Sequence, residues 1–147
     1  MTAPRYRGRI LVIDDEPEIV DAITEYFGDA GYEVRGALSG GDGLMLAEIA
    51  PPSVVLLDLR MPGLSGIEVL ERLQARWSRL PVIIVTGSHD IPTAKSLSRR
   101  GAFDVVRKPF LWDDLHRCVT EALGSSGRPA REAQGTPRRM RTVADSP

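Results

Sequence analysis

The sequence predicts an α/β protein with a doubly wound, five-stranded parallel sheet and a helix after each strand. Three short runs, at 10–14, 53–58 and 81–87, are apolar almost throughout, which is typical of strands buried on both faces. Segments with apolar residues at helical spacing follow them, at roughly 20–25 residues per strand–helix unit. Strands that alternate with helices form parallel sheets covered on both faces. The length of 147 residues fits one domain.

The first half of the chain contains two strand–helix units. ILVID at 10–14 is the first strand, and Pro17 suits the first turn of the helix that follows it. Gly31 suits the end of that helix, before a weaker strand at 32–37. A second helix is expected at 40–50, although its glycine-rich start lowers the helix propensity of the first turn.

The second half of the chain repeats the pattern three times. Apolar runs again end beside polar residues, and Gly101 stops a short helix before the strand FDVV. The last predicted helix has an apolar stripe on which Cys118 lies, so this cysteine is expected in the core. The predicted strands are 53–58, 81–87 and 103–106. One predicted helix is marked by the apolar residues Ile67, Leu70, Leu73 and Trp77, a short one lies around 91–100, and the last carries Leu111, Leu115, Cys118, Val119 and Ala122.

The composition changes after the last predicted helix. Residues 124–147 are rich in Gly, Ser, Pro and Arg, and five arginines against two acids give them a net charge of +3. The predicted organisation is an N-terminal arm (1–8), one domain (9–123) and a disordered basic tail (124–147). Five arginines without aromatic neighbours are typical of a solvated segment, so nucleic-acid binding is not expected of this chain alone.

The cysteine content and the apolar runs indicate the compartment. Cys118 is the one cysteine, which excludes an internal disulfide and fits a reducing environment. No apolar window approaches the length of a membrane span, and the N-terminus MTAPRYRGR lacks the hydrophobic core of a secretory signal. We expect a cytoplasmic protein that has no membrane association.

Polar residues stand at the ends of four predicted strands. Asp14 and Asp15 follow the first strand, Asp58 ends the third, Thr86 ends the fourth, and Lys108 follows the fifth. Ligands of doubly wound sheets bind outside the carboxyl ends of the strands, so these side chains are expected to converge. Clustered carboxylates repel one another unless a cation neutralises them, and oxygen ligands favour Mg²⁺. Such a site suits phosphoryl chemistry, in which an aspartate can act as the nucleophile.

Four motifs at these strand ends make the resemblance to a known family specific. They are IDDE at 13–16, LLDLRMPGLSG at 56–66, VTG at 85–87 and KPF at 108–110. With these four motifs in this order, the chain resembles the receiver domain of two-component response regulators over about residues 9–123. The resemblance implies a flavodoxin-like (βα)5 fold with strand order 2-1-3-4-5.

The resemblance also implies a role for each site residue. Asp58 corresponds to the phosphoryl acceptor, and Mg²⁺ is expected on Asp15, Asp58 and the backbone carbonyl of Arg60, with Asp14 acting through water. Thr86 and Lys108 correspond to the hydroxyl and the cation that contact the phosphoryl group. The Lys108–Pro109 bond is a candidate cis peptide.

Partners and output also follow from the resemblance. The expected phosphoryl donor is a sensor histidine kinase or a phosphotransfer protein. The expected output is a change in the face formed by the fourth helix, fifth strand and fifth helix, which signals to a downstream protein or forms a homodimer. The protein is expected to catalyse its own phosphorylation without turning over a substrate.

One position departs from the family pattern, and two others flank the site. Val105 stands where receivers usually carry an aromatic residue that moves with the threonine, so we expect output to depend more on the loop after the fourth strand and on the fourth helix. Phe103 is expected on the same strand face as Val105, where it packs in the core. Arg60 and Ser88, two residues after Asp58 and Thr86, are expected to alter the lifetime of the phosphoryl group.

Several alternatives stay open. Asp14, Asp15 and Glu16 could be acids that favour a helix start, and for Glu16 this is at least as good as a metal role. His89 and His116 are expected on the surface, Trp77 at the end of a helix stripe, and Trp112 in either packing or partner contact.

The function also has alternatives to the leading interpretation of a stand-alone receiver. The chain could be the N-terminal receiver of a longer DNA-binding transcriptional regulator. It could instead be a Mg²⁺-dependent phosphatase that works through an aspartyl phosphate, but that enzyme needs a second acid two residues after the nucleophile, where Arg60 stands.

Overall fold

The computed structural model describes residues 5–87 and 93–125, with only the backbone of Ser125. Its five strands form one parallel sheet in the order β2-β1-β3-β4-β5, which confirms the predicted fold and strand order. The strands are β1 Arg9–Ile13, β2 Glu33–Ala37, β3 Val54–Leu57, β4 Val82–Thr86 and β5 Ala102–Arg107.

A helix follows each strand, as the sequence predicted, and most boundaries differ by one or two residues. The helices are α1 Pro17–Asp29, α2 Gly40–Ile49, α3 Gly66–Arg76, α4 Ala94–Arg99 and α5 Trp112–Ser125. Helix α5 extends two residues beyond the predicted domain boundary at 123, and the rest of the predicted tail lies outside the described residues. The first residues predicted for α4, 91 and 92, also lie outside them. Among the described residues, no helix has the length and apolar character that crossing a membrane requires.

Hydroxyl side chains fix the starts of three helices. Ser39 Oγ accepts a hydrogen bond from Asp42 N at α2, and Thr93 Oγ1 accepts one from Ser96 N at α4. Ser65 and Glu68 form a capping box at α3. Each bond satisfies a backbone N–H that the first turn would otherwise leave without a partner.

The glycines that weaken the propensity of α2 have a packing role. A Cβ at Gly43 would overlap the side chain of Ile13, and one at Gly40 would overlap Val69. Because glycine has no Cβ, α2 can lie close to β1 and α3. The tertiary contact therefore outweighs the low intrinsic helix propensity of these residues.

The core has two layers, one on each face of the sheet. One layer joins the sheet to α2, α3 and α4 and includes Ala47, Leu70, Leu73, Leu97 and Val105. The other joins it to α1 and α5 and includes Ile23, Phe27, Phe103, Leu115 and Cys118. Since both faces are covered, the central strands are buried throughout, which explains their apolar runs.

The prediction that Phe103 shares a face with Val105 is wrong. The register of β4 against β5 shifts at this point, because Val82 pairs with Ala102 while the next residue, Ile83, pairs with Asp104. Phe103 is the extra residue, and it packs in the layer below α1 and α5, whereas Val105 packs in the opposite layer. One inserted residue is enough to change which side chains share a face.

Candidate functional site

Four strand ends bring the predicted side chains together at one edge of the sheet. Carboxylate oxygens of Asp14, Asp15 and Asp58 all lie within 4.8 Å of one another. An open cleft of about 370 Å³ lies at this edge. Its lining residues are Asp15, Glu16, Asp58, Arg60, Thr86, Gly87 and Lys108.

Backbone hydrogen bonds between neighbouring strands hold these residues in place. Asp58 N donates to Ile13 O at 2.9 Å, and Asp14 N donates to Ala37 O at 3.1 Å. Lys108 N donates to Thr86 O at 2.9 Å. The side chains therefore extend from a rigid sheet, as the accuracy of a reactive site requires.

Gly66 lets α3 start directly behind Asp58, a role that sequence reasoning missed. A Cβ on Gly66 would overlap the carbonyl oxygen of Asp58 and the Cα of Leu59, both of which belong to the backbone and cannot move aside. Gly66 N also donates to Leu59 O at 3.1 Å. The last glycine of LLDLRMPGLSG was the available signal, because a glycine after a loop can indicate a close backbone approach.

The ammonium group of Lys108 lies among three carboxylates. Its Nζ is 2.6 Å from Asp14 Oδ2, 3.1 Å from Glu16 Oε1 and 3.9 Å from Asp58 Oδ2. Burial disfavours the charge on Lys108, but the hydrogen bond that its ammonium donates to Asp14 and the negative charges of Asp58 and Asp14 outweigh this effect and raise the pKa of Lys108. The bond between Lys108 and Pro109 is cis, as expected.

Asp58 is buried, and this changes its acidity. Desolvation raises the pKa of Asp58 above its ordinary value, and the charge of Asp14 adds to this effect. The charge of Lys108 and the backbone N–H of Arg60 act in the opposite direction and do not overcome it. A divalent cation beside Asp58 would favour the charged form of this carboxyl, because the positive charge would offset the effects of burial and of the Asp14 charge.

Thr86 has a hydroxyl group that no described residue satisfies. Its Oγ1 is fully buried and has no hydrogen-bond partner among the residues that the structure describes. The hydroxyl lies close enough to Asp58 to help lower the pKa of that carboxyl, but it does not reach hydrogen-bond geometry. A buried hydroxyl without a partner costs free energy, and an oxygen of a group bound at Asp58 could accept from it.

The donor set fits the hard cation and the phosphoryl group that the sequence analysis expected. All nearby anionic ligands are carboxylate oxygens, which Mg²⁺ prefers, and Asp15 is open to solvent, so water can complete the coordination. Asp14 differs from the other two acids because both its oxygens are engaged, Oδ1 by Glu16 N and Oδ2 by Lys108 Nζ. That arrangement is compatible with an Asp14 that acts on the metal through water.

The remaining candidates lie away from the cleft. Cys118 is buried as predicted, and its Sγ lies 3.3 Å from Asp104 Oδ2. His116, which was expected on the surface, is half-buried, and its Nδ1 lies 2.9 Å from Tyr26 Oη. Trp112 stacks on Tyr26 with ring centroids 4.6 Å apart, which supports the packing interpretation. Trp77 is the C-cap residue of α3 and packs against the core, which agrees with its predicted place at the end of a helix stripe. Ser88 and His89 lie outside the described residues.

Comparison with known families agrees with the fold. The family model "Response regulator receiver domain" matches residues 10–120. The chain belongs to this family. The resemblance found in the four motifs is therefore confirmed, and this receiver is a domain of the kind that two-component systems use as a signalling switch.

Relatives and solved structures support the assignment. This receiver is 39% identical over 116 residues to the regulatory protein AtoC of Escherichia coli, and the match covers 79% of this chain and 25% of AtoC. It is 41% identical over 106 residues to the transcriptional regulatory protein KdpE of Mycobacterium tuberculosis, covering 72% of this chain and 46% of KdpE. The chain thus spans less than half the length of either regulator.

Solved structures of isolated receiver domains match this chain over nearly their whole length. The receiver domain of NtrX from Brucella abortus has a TM-score of 0.75 and 36% identity, and the match covers 80% of this chain and 99% of that domain. A receiver domain protein from Clostridium thermocellum has a TM-score of 0.75 and 34% identity, covering 80% of this chain and 94% of that one. The described fold is therefore that of a whole receiver domain.

Proposed function

We propose that this receiver accepts a phosphoryl group on Asp58 in a Mg²⁺-dependent reaction and transmits the change to a partner. The observation that carries the proposal is the cluster of three carboxylates within 4.8 Å of one another, which faces the Lys108 ammonium. Nearby, the Thr86 hydroxyl has no hydrogen-bond partner within the described part of the chain. Acids, cation and hydroxyl together match what an in-line phosphoryl transfer requires, namely positioning and neutralisation of charge.

The chain's own residues would divide the chemistry among them. An Asp58 oxygen attacks the phosphorus of a phosphohistidine, so that a P–O bond forms while the P–N bond breaks and the imidazole leaves with its electron pair. Lys108 neutralises charge on the phosphoryl oxygens, and Thr86 donates a hydrogen bond to one of them. Asp14, Asp15, Asp58 and the carbonyl of Arg60 would hold Mg²⁺, which supplies further neutralisation of the phosphoryl charge.

The proposed partners follow from this reaction. A sensor histidine kinase or phosphotransfer protein in the cytoplasm would donate the group, and α4, β5 and α5 would form the surface that a downstream protein or a second receiver contacts. Hydrolysis of the phosphoaspartate by water would reset the switch. The proposal includes no turnover of a separate substrate, and the position of Arg60 two residues after Asp58 disfavours the phosphatase alternative.

A second proposal, that the receiver forms part of a longer transcriptional regulator, has support from the relatives. The DNA-binding transcriptional regulator NtrC of Salmonella typhimurium is 34% identical over 117 residues, and this match covers 25% of NtrC. In that case the output would be a change in DNA binding by another domain. Phosphorylation of Asp58 would be the same first step.

The test is incubation with Mg²⁺ and a small acyl phosphate, followed by intact-mass measurement. We expect one phosphoryl adduct on the native chain and none on Asp58→Asn. Asp21→Asn is a matched control, because Asp21 is an exposed acid in α1 away from the cleft, and it should take up the adduct like the native chain. An adduct that persists in Asp58→Asn, or no adduct from either a small donor or a histidine kinase, would contradict the proposal.

A further inference from the structure

Glu16 holds the N-cap position of α1, but its side chain does not cap the helix. Acids near a helix start usually favour the exposed backbone N–H groups and the positive end of the dipole. Here the Glu16 carboxylate makes no capping hydrogen bond, and Oε1 instead lies 3.1 Å from Lys108 Nζ. The local role of Glu16 has therefore been replaced by a contact with a residue 92 positions away.

This contact affects where the Lys108 ammonium lies. Glu16 and Asp14 both bind Nζ within hydrogen-bond distance, while Asp58 is 3.9 Å away. Lys108 is mostly buried, with 14% of its side chain exposed, whereas the Glu16 side chain is 55% exposed. The buried ammonium is thus bound on one side by an exposed carboxylate, and water can readily replace this contact.

We propose that Glu16 is a positioning residue that holds Lys108 toward Asp14 and away from Asp58 until the phosphoryl group arrives. The inference rests on the proposed function of Asp58, and it adds a restraint on the lysine before phosphorylation. A phosphoryl group on Asp58 brings a stronger anion to Lys108, so the ammonium must leave Glu16 to reach it. Breaking the contact with Glu16 therefore costs free energy in that step. The Glu16 charge also repels the incoming anionic group.

The matched pair of variants is Glu16→Gln and Glu18→Gln. Both remove one negative charge from the start of α1, and both residues are exposed. Glu18 has no ion pair among the described residues, so its loss changes only the general charge near the helix start. Glu16→Asp is a further variant that keeps the charge but shortens the side chain by one methylene, which weakens the reach to Lys108.

The first measurement follows Lys108 directly in the unphosphorylated protein. The chain has two lysines, Lys95 and Lys108, and Lys95 is exposed in α4, so it serves as an internal reference. Under limiting acetic anhydride, peptide mass spectrometry gives the ratio of acetylation at the two sites. We expect this ratio of Lys108 to Lys95 to rise about two- to fivefold in Glu16→Gln, the size of one partly exposed ion pair, and to stay at the native value in Glu18→Gln.

The second measurement is the rate of phosphoryl uptake from a small acyl phosphate in Mg²⁺. We expect Glu16→Gln to take up the group about two- to fivefold faster than the native chain, with Glu16→Asp between the two. Glu18→Gln should remain within the native range. If both glutamine variants change the rate equally, the effect comes from overall charge and the proposal is overturned.

The two measurements separate this inference from the function on which it rests. An unchanged acetylation ratio in Glu16→Gln overturns the role of Glu16, even if Asp58 is phosphorylated normally. A raised ratio together with no phosphoryl uptake by the native chain supports the restraint on Lys108 and overturns the proposed function instead.

Discussion

The Lys108 ammonium lies 3.9 Å from the Asp58 carboxylate, a distance that allows attraction but no hydrogen bond. The short contacts of the ammonium are to Asp14 and Glu16 instead. The buried Asp58 is therefore only partly neutralised, and its pKa stays above the ordinary value. Because negative charge remains, the site favours a bound cation, and the first two predictions rest on this.

Asp15→Asn is expected to change stability in opposite directions without and with Mg²⁺. Without the metal it removes one of three mutually repelling carboxylates, so the free energy of unfolding should rise by about 1 kcal/mol at low salt. With Mg²⁺ the variant should gain much less from the metal than the native chain does. Urea denaturation with EDTA and with Mg²⁺ measures both effects.

Asp58 provides a prediction about pH in the metal-free protein. Because burial raises its pKa in the folded state, the folded protein binds a proton there up to a higher pH than the unfolded chain does. The charged form of Asp58 therefore lowers the free energy of unfolding. This loss is absent when the pH is below the ordinary pKa and complete when it is above the raised pKa. The free energy of unfolding of the native chain, minus that of Asp58→Asn, should fall as the pH rises through this window. A flat difference would contradict the raised pKa.

Thr86→Val replaces a buried hydroxyl by a methyl group of the same shape. We expect the free energy of unfolding of the unphosphorylated protein to stay the same or to rise by up to about 1 kcal/mol, because Oγ1 loses no hydrogen bond to any described residue. Binding of a phosphoryl mimic, beryllium fluoride with Mg²⁺, should weaken about tenfold, the size of one hydrogen bond to a charged group. Thermal denaturation across a titration of the mimic measures the affinity. Equal affinity in both proteins would show that the hydroxyl does not donate to the bound group.

The convergence of the site residues could be predicted because it depends on topology alone. In a parallel sheet the carboxyl ends of the strands share one edge, so the polar residues after four apolar runs had to meet there. Once the alternation of strands and helices had predicted the parallel sheet, the shared location of Asp14, Asp15, Asp58, Thr86 and Lys108 followed from this rule.

Details that depend on side-chain direction or on a single inserted residue could not be predicted. The extra residue in β5 moves Phe103 to the opposite face from Val105, and no local pattern in FDVV marks it. Glu16 fitted a role at the helix start equally well, and only the fold brings it to Lys108. The contact of His116 with Tyr26, 90 positions away in sequence, is likewise a property of the packed helices.

The last prediction concerns the helix that responds to phosphorylation. Val105 packs in the same core layer as Leu97, the one fully buried side chain of α4, and this helix has only six residues. A short helix with a single buried anchor opens at low cost, whereas β5 is buried along most of its length. Since Phe103 faces the other layer, no aromatic residue of β5 occupies the Val105 side and links the site to the output surface.

We therefore expect beryllium fluoride with Mg²⁺ to change amide hydrogen exchange in Ala94–Arg99 more than in Ala102–Arg107. Asp58→Asn, treated in the same way, controls for effects of the mimic outside the site and should show no change in either segment. If exchange in α4 remains constant while that in β5 changes, the signal passes through the strand despite the small side chain at Val105. An unchanged position of α4 in two structures, determined with and without the mimic, would also count against the prediction, because the proposed output requires this helix to move.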